Sequence, residues 1–188
     1  MKVLVACEES QAVCIAFREK GHEAYSCDLQ DCSGGHPEWH IKNDAIKVLY
    51  SQKWDLVIAH PPCTRLANSG VRWLFERELF DELDEATDFF NQFVFYGKCG
   101  NKIAIENPIP HKYALIPRYS QIIQPWQFGH NESKATCLWL YGLPELKPTN
   151  IVKPEKQSCW RMAPGPERAK LRSKTFPGIA NAMAEQWG

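Results

Sequence analysis

Apolar positions along this chain come in two rhythms. Short unbroken runs, "KVLVA" at 2–6 and "DLVIAH" at 55–60, are rich in β-branched residues and read as buried strands. "EAYSCD" at 23–28, "KIAIENP" at 102–108 and "TCLWLYG" at 136–142 read as further strands. Between them the period lengthens to that of a helix. Residues 11–20 put Val13, Ala16 and Phe17 on one face, with Ser10 as the expected N-cap and Gly21 at the C′ position. Asn43 or Asp44 opens a short helix through Leu49. After a loop at 61–70, Leu79, Leu83, Ala86, Phe90 and Phe93 form a one-sided apolar stripe. That stripe predicts one long helix, closed by Gly97 and Gly100. A terminal helix is expected over 179–187. Residues 31–42, "DCSGGHPEWHIK", read as a loop, and 143–178 as an irregular, proline-rich segment.

Strands alternating with helices predict an α/β fold: a mostly parallel sheet with helices on both faces. The 188 residues are expected to form a single domain, 1–188, with 143–178 as an insert. Open sheets of this kind bind ligands beyond the carboxyl ends of their strands. The residues just past each strand therefore matter most: Cys7, Glu8 and Glu9, then Asp28, Asp44, Pro61-Pro62-Cys63 and Glu106-Asn107-Pro108.

Composition narrows the classes. No run approaches the ~20 apolar residues of a membrane span. "MKVLVACEES" reads as a first strand rather than a secretory leader. With no export signal, the eight cysteines read as reduced thiols of a cytoplasmic protein. Net charge is zero but unevenly spread. Residues 141–178 carry eight Lys/Arg against three Glu, whereas 1–140 carry fourteen basic and eighteen acidic residues. A basic segment on a mildly acidic body suggests a patch for a polyanion, an ordinary solvated loop being the plainer alternative.

Candidate chemistry centres on Cys63. Two prolines behind it stiffen the turn and give the thiol a direction. An accessible, stabilised thiolate there would be a nucleophile; a lone cysteine is otherwise a buried structural residue. Glu106, beside Asn107, could hold or donate a proton, or bind backbone amides at a strand end. Asp28 stands where nucleotide-binding α/β folds accept hydrogen bonds from ribose hydroxyls. Asp44 is either a helix cap or a weaker contact to an adenine amino group. Cys27, Cys32, His36 and His40 have the ligand types of a small zinc site, but a loop over the pocket at Asp28 is the simpler reading, so no metal is expected.

Taken together, "HPPC" and "IENP" resemble the Pro-Cys and Glu-Asn motifs of DNA cytosine-5 methyltransferases, in that family's order. "CDL" at 27–29 and "NDAI" at 43–46 resemble its next cofactor contacts, and "GIANAMAEQW" at 178–187 its late Asn-containing helix. The resemblance is nearest to the short phage and prophage type, and with those it covers nearly the whole chain. It implies a Rossmann-like fold that uses S-adenosylmethionine (SAM), in a phage- or prophage-encoded protein of the bacterial cytoplasm. Cys63 and Glu106 would be catalytic, Cys63 attacking C6 of a flipped-out cytosine in DNA and Glu106 assisting at N3. Cys7, Glu8, Glu9, Ser10, Asp28, Leu29, Asp44, Pro61 and Asn181 would line the cofactor. Pro62, Asn107 and Lys134 would face the substrate.

Three departures qualify the resemblance. The family's glycine-rich first turn is here "ACEESQA", without glycine, so Glu8 and Glu9 are expected to contact the cofactor's amino or ribose groups. Its Arg-rich strand motif is reduced to Lys134 in "ESKATCLWL". Its large target-recognition domain is absent, with only 143–178 in that place. Specificity is then low, or delegated to a separate subunit or a homodimeric partner copy. Two other readings stay open. One is an enzyme acting on a pyrimidine nucleotide or single-stranded nucleic acid, with SAM or a SAM analogue as donor. The other is a non-catalytic DNA-binding partner or decoy.

Overall fold

In a computed structural model the chain is described at residues 1–158, 162–163, 165 and 168–188. Cys159, Arg161 and Glu167 of the basic segment lie outside these residues. The strands are β1 (Lys2–Ala6), β2 (Glu23–Asp28), β3 (His40–Lys42), β4 (Leu56–Ala59), β5 (Ile103–Pro108), β6 (Gln121–Ile123) and β7 (Thr136–Tyr141). They form a seven-stranded sheet in the order β3-β2-β1-β4-β5-β7-β6. Only β7 runs against the rest, pairing antiparallel with β5 and with β6. The predicted α/β architecture is therefore present.

Strand order reverses between β1 and β4, so the switch point opens past Ala6 and Ala59. Alternation within each strand supplies two cores. Leu4, Ala6, Val57, Ile103 and Ile105 face α2 (Ala45–Ser51) and α4 (Phe80–Lys98), where Leu49, Phe90 and Phe93 are buried. Val3, Val5, Leu56, Ile58 and Ala104 face α1 (Ala12–Glu19) and α6 (Pro177–Trp187), where Phe17, Ile179 and Met183 are buried. Burial on both faces explains the unbroken apolar runs, each large side chain contributing about 1.5–3 kcal/mol.

Several local expectations need correction. Ser10 does not cap α1: Gln11 holds the N-cap position, without a side-chain cap bond of its own. Gly21 does end α1, at φ 83°, and the amides of Gly21 and His22 bond Arg18 and Phe17. The stripe from Leu79 to Phe93 does form one long helix, α4, with Leu79 at its N-cap, but the chain between the 61–70 loop and the stripe forms a separate short helix, α3 (Val71–Glu76), with Glu78 at φ 52° between the two. Gly97 does not close α4 but lies inside it, where a Cβ would stand 2.5 Å from the Tyr141 ring. Helix α4 ends instead at Gly100, φ 91°. The loop at 31–42 contains β3, β6 had no counterpart in the pattern, and α5 (Arg168–Ser173) lies within the segment read as irregular.

No helix among the described residues is long and apolar enough to cross a membrane. The seven described cysteines are all unpaired.

Candidate active site

The turn after β1 solves the missing-glycine problem by strain. Cys7 and Gln11 both take left-handed backbone, φ 60° and 59°, a conformation that non-glycine residues keep only when their surroundings hold them. The Gln11 amide supplies that hold, donating to Ser26 Oγ and the His36 carbonyl and accepting from the His36 amide. The close-approach glycine has moved to the next loop. A Cβ on Gly34 would lie 2.7 Å from the Ser10 carbonyl.

Glu8 is consumed by this turn. Its two carboxylate oxygens accept from the amides of Val13 (2.7 Å) and Cys14 (3.2 Å), capping α1 from outside the helix. Burial pushes its carboxyl above the usual range, against the opposing pull of His60 and the two amides. Glu9 differs. Both of its oxygens are buried without a hydrogen-bond partner, and the Lys170 ammonium of α5 stands 3.8 Å away. The ammonium balances the charge from beyond hydrogen-bond reach, which leaves both oxygens open to a donor.

Asp28 ends β2 and accepts from the Gln30 amide, and Leu29 beside it is 72% exposed. Asp44 caps α2, accepting from Ile46 and Lys47. The Cys7 thiol is pushed up by burial and by the charges of Asp28 and Asp44, so these residues lie near one another on the carboxyl rim. Asn181 is exposed on α6, on the same face as Glu185. Gly188 abuts His22, so α6 runs alongside α1 with its start towards the carboxyl rim. Cys27, Cys32, His36 and His40 go separate ways. Cys27 Sγ donates to the Asn43 carbonyl, His36 stacks on Trp39 and His40 bonds Ser26 and Gln30. Among the described residues no three His, Cys, Asp or Glu side chains are gathered as metal ligands.

Across the switch point, His60 and Glu106 form a pair that sequence reasoning missed. Their Nδ1 and Oε2 atoms are 2.9 Å apart, with side chains only 9% and 15% exposed. Burial alone would lower His60, but the hydrogen bond and charge of Glu106, with Glu8 behind, raise it above its ordinary value. Burial alone would raise Glu106, but His60 and then Lys134 hold it below the usual carboxylate range. Both directions describe an imidazolium–carboxylate pair. The only trace of it in the sequence was a histidine at a strand end before Pro61.

Cys63 opens the turn after Pro62, its carbonyl accepting from Leu66 and Ala67. Asn107 clamps this corner: its amide donates to the Pro61 carbonyl at 2.8 Å, while its Oδ1 is buried and unpartnered. Further bonds from Asn68 to Ile109 and from His111 to Leu66 and Arg65 tie the Cys63 loop to the chain after β5. Pro61 is buried and Pro62 exposed. Burial raises the Cys63 thiol, the charge of Glu106 raises it further, and Lys134 and Arg172 pull it back. Cys63, Glu106, Lys134 and Arg172 thus lie near one another on the carboxyl rim, but the thiolate is not stabilised in advance. The Lys134 ammonium donates to the Arg172 carbonyl at 2.8 Å, anchoring α5 there.

A methyltransferase of Entamoeba histolytica, EhMeth, shares this architecture. Its structure superposes with a TM-score of 0.51 at 17% identity, covering 84% of this chain and 57% of that one. The likeness shows the fold. It is a Rossmann-type, methyltransferase-like fold, and the chain spans a little over half of that protein's length. No protein-family model matches the chain. No curated protein matches it either.

Proposed function

We propose that the protein is a SAM-dependent methyltransferase that modifies C5 of cytosine in DNA through a covalent adduct on Cys63. The observation that carries this reading is the Glu106–His60 pair at the switch point with the Cys63 thiol within the reach of its charge, on a rim where the Glu9 carboxylate is buried without a hydrogen-bond partner. Glu9 fits the cofactor, because its orphaned oxygens suit the ammonium group of a bound amino acid moiety. Asp28 would take ribose hydroxyls, and exposed Leu29 would lie against the adenine. Glu8 fits less well, being occupied as a cap. SAM, when bound, supplies an electrophilic methyl group.

The chain's own residues do the rest. Glu106 supports a proton at N3 of the base, which makes C6 electrophilic. Cys63 gives its proton to water as its sulfur forms the C6–S bond, giving C5 the electron density to accept the methyl group. Transfer of the C5 proton to water then restores the C5=C6 bond and expels the thiolate. The thiol is held neutral in the resting protein, so activation waits for the base. Lys134, Arg172 and the basic segment 143–178 would hold phosphates, and affinity should fall steeply with salt. Duplex DNA would require flipping of the base, at a cost of a few kcal/mol.

The test is trapping on an oligonucleotide containing 5-fluorocytosine, with SAM present. A denaturation-resistant adduct with wild type, absent in Cys63→Ala, is expected. No adduct, or one that survives Cys63→Ala, would sink the reading.

A further inference from the structure

His60 is a buried titratable group that the mechanism above has not used. Its backbone amide donates to the Ala6 carbonyl, so the ring hangs at the crossing of β1 and β4. Nδ1 lies 2.9 Å from Glu106 Oε2. Nε2 is buried with no hydrogen-bond partner. Glu106 is therefore the acceptor within hydrogen-bond reach among the described residues. The charged groups acting on the pair are Glu8 from the turn after β1 and Lys134 before β7; Glu106 in turn acts on the Cys63 and Cys137 thiols, and Arg172 of α5 acts on Cys63.

This surrounding creates a difficulty for Glu106. An acid that must support a proton on the base is held as a carboxylate by its own partner. A carboxylate accepts hydrogen bonds but has no proton to give. The missing proton is next door, on the ring.

We propose that His60 stores the proton that Glu106 delivers to the ring nitrogen of the bound base, so that the two residues act as one general acid. This rests on the cytosine reading and adds to it a residue in the position before Pro61. The Nδ1–H bond breaks as an Oε2–H bond forms, leaving a neutral imidazole and a carboxylic acid. A half-turn of the carboxyl group brings the O–H to N3, where the N3–H bond forms and the carboxylate returns. The thiol proton of Cys63 leaves to water while its sulfur forms the bond to C6. On elimination the N3 proton retraces the path to His60. His60 acts through Glu106 and is a positioning and proton-holding residue; it does not touch the base.

Two measurements on the full-length protein test this. The first is imidazole nitrogen NMR of the ligand-free protein, with the His60 signal assigned by its loss in His60→Asn. The ring is expected to carry both protons at neutral pH, and in Glu106→Gln to titrate at or below about 6.5. A neutral His60 ring at neutral pH in wild type overturns the proposal. The second is release of tritium from C5 of cytosine in an oligonucleotide, followed against pH. Asparagine keeps an N–H for Oε2 but has no proton to yield. In His60→Asn the alkaline half of the profile should fall by at least about tenfold, with the acid half close to wild type. An unchanged profile, or an equal loss at every pH, shows a structural residue only and overturns the proposal. If wild type releases no tritium at any pH and forms no 5-fluorocytosine adduct, the cytosine reading itself fails and the acceptor named here falls with it. The NMR result then separates that failure from a misread ion pair.

Discussion

The two sides of the switch point spend their polar residues differently. On the β1–β2–β3 side, carboxylates serve the backbone. Glu8 caps α1, Asp44 caps α2 and Asp28 closes a turn on Gln30. On the β4–β5 side, side chains serve one another and the loop that carries the thiol. His60 pairs with Glu106, and Asn107 ties the corner at Pro61. The first arrangement builds a rim from short-range bonds, leaving Glu9 buried without a hydrogen bond and faced only by the Lys170 ammonium at 3.8 Å. The second concentrates charge where a reaction could use it. Mutations on one side should therefore read out mainly as stability, and on the other mainly as activity.

The comparison can be broken most sharply at the thiol. Cys63→Ala is expected to abolish adduct formation and methyl transfer while the protein stays folded by circular dichroism. Coincident loss of fold would mean that the β4–β5 side is structural after all. Asn107→Ala comes next. It removes the donor to a buried carbonyl and should cost about 1–3 kcal/mol in urea unfolding. It should also lower activity more than that loss explains, because the Cys63 corner is released. Glu8→Ala removes two amide acceptors at once and should cost about 1–2 kcal/mol, with cofactor affinity, measured by calorimetry, little changed. A large drop in affinity with unchanged stability would instead place Glu8 on the cofactor. Asp44→Ala should cost about 1 kcal/mol or less, the ordinary value of one cap.

The His60–Glu106 pair adds a pH signature that the other side lacks. Glu106 is lowered in the folded state, so its contribution is present above its unfolded value near 4.5 and is lost as pH falls through the folded value. His60 is raised, so its contribution is complete below 6.5 and is lost as pH rises through its folded value. The stability difference between wild type and His60→Asn should therefore be greatest between these limits and shrink on either side. Chemical unfolding across pH checks this; a flat difference would contradict the ion pair.

Much of the architecture was legible because it depends on local pattern. Apolar runs located β1, β4, β5 and β7, since strands buried on both faces need them, and the shorter run around Tyr25 located β2. Gly21 was legible as a helix end, because positive φ favours glycine. Strand β3 was not, as three residues flanked by Gly, Pro and His carry no alternation, and their pairing with β2 comes from the neighbour. Ser10 failed as a cap because Glu8, two residues away, reaches the same amides with a longer side chain. The break between α3 and α4 sits at Glu78, where nothing in the composition announces left-handed backbone.

For the candidate site, order along the chain is enough to put Asp28, Glu106 and Asn107 in the last residues of their strands and Cys63 four residues past Ala59. That is a one-dimensional property, set by where burial stops. Only the tertiary structure decided what each strand end meets. Residues 60 and 106 become neighbours because β4 pairs with β5, and Lys170 reaches Glu9 because α5 returns across the sheet. Charge states follow from those meetings. Burial acts on each group alone, whereas Coulomb interaction and hydrogen bonding need a partner at short range. The histidine before Pro61 was visible in the sequence from the start; its proton became legible only beside Glu106.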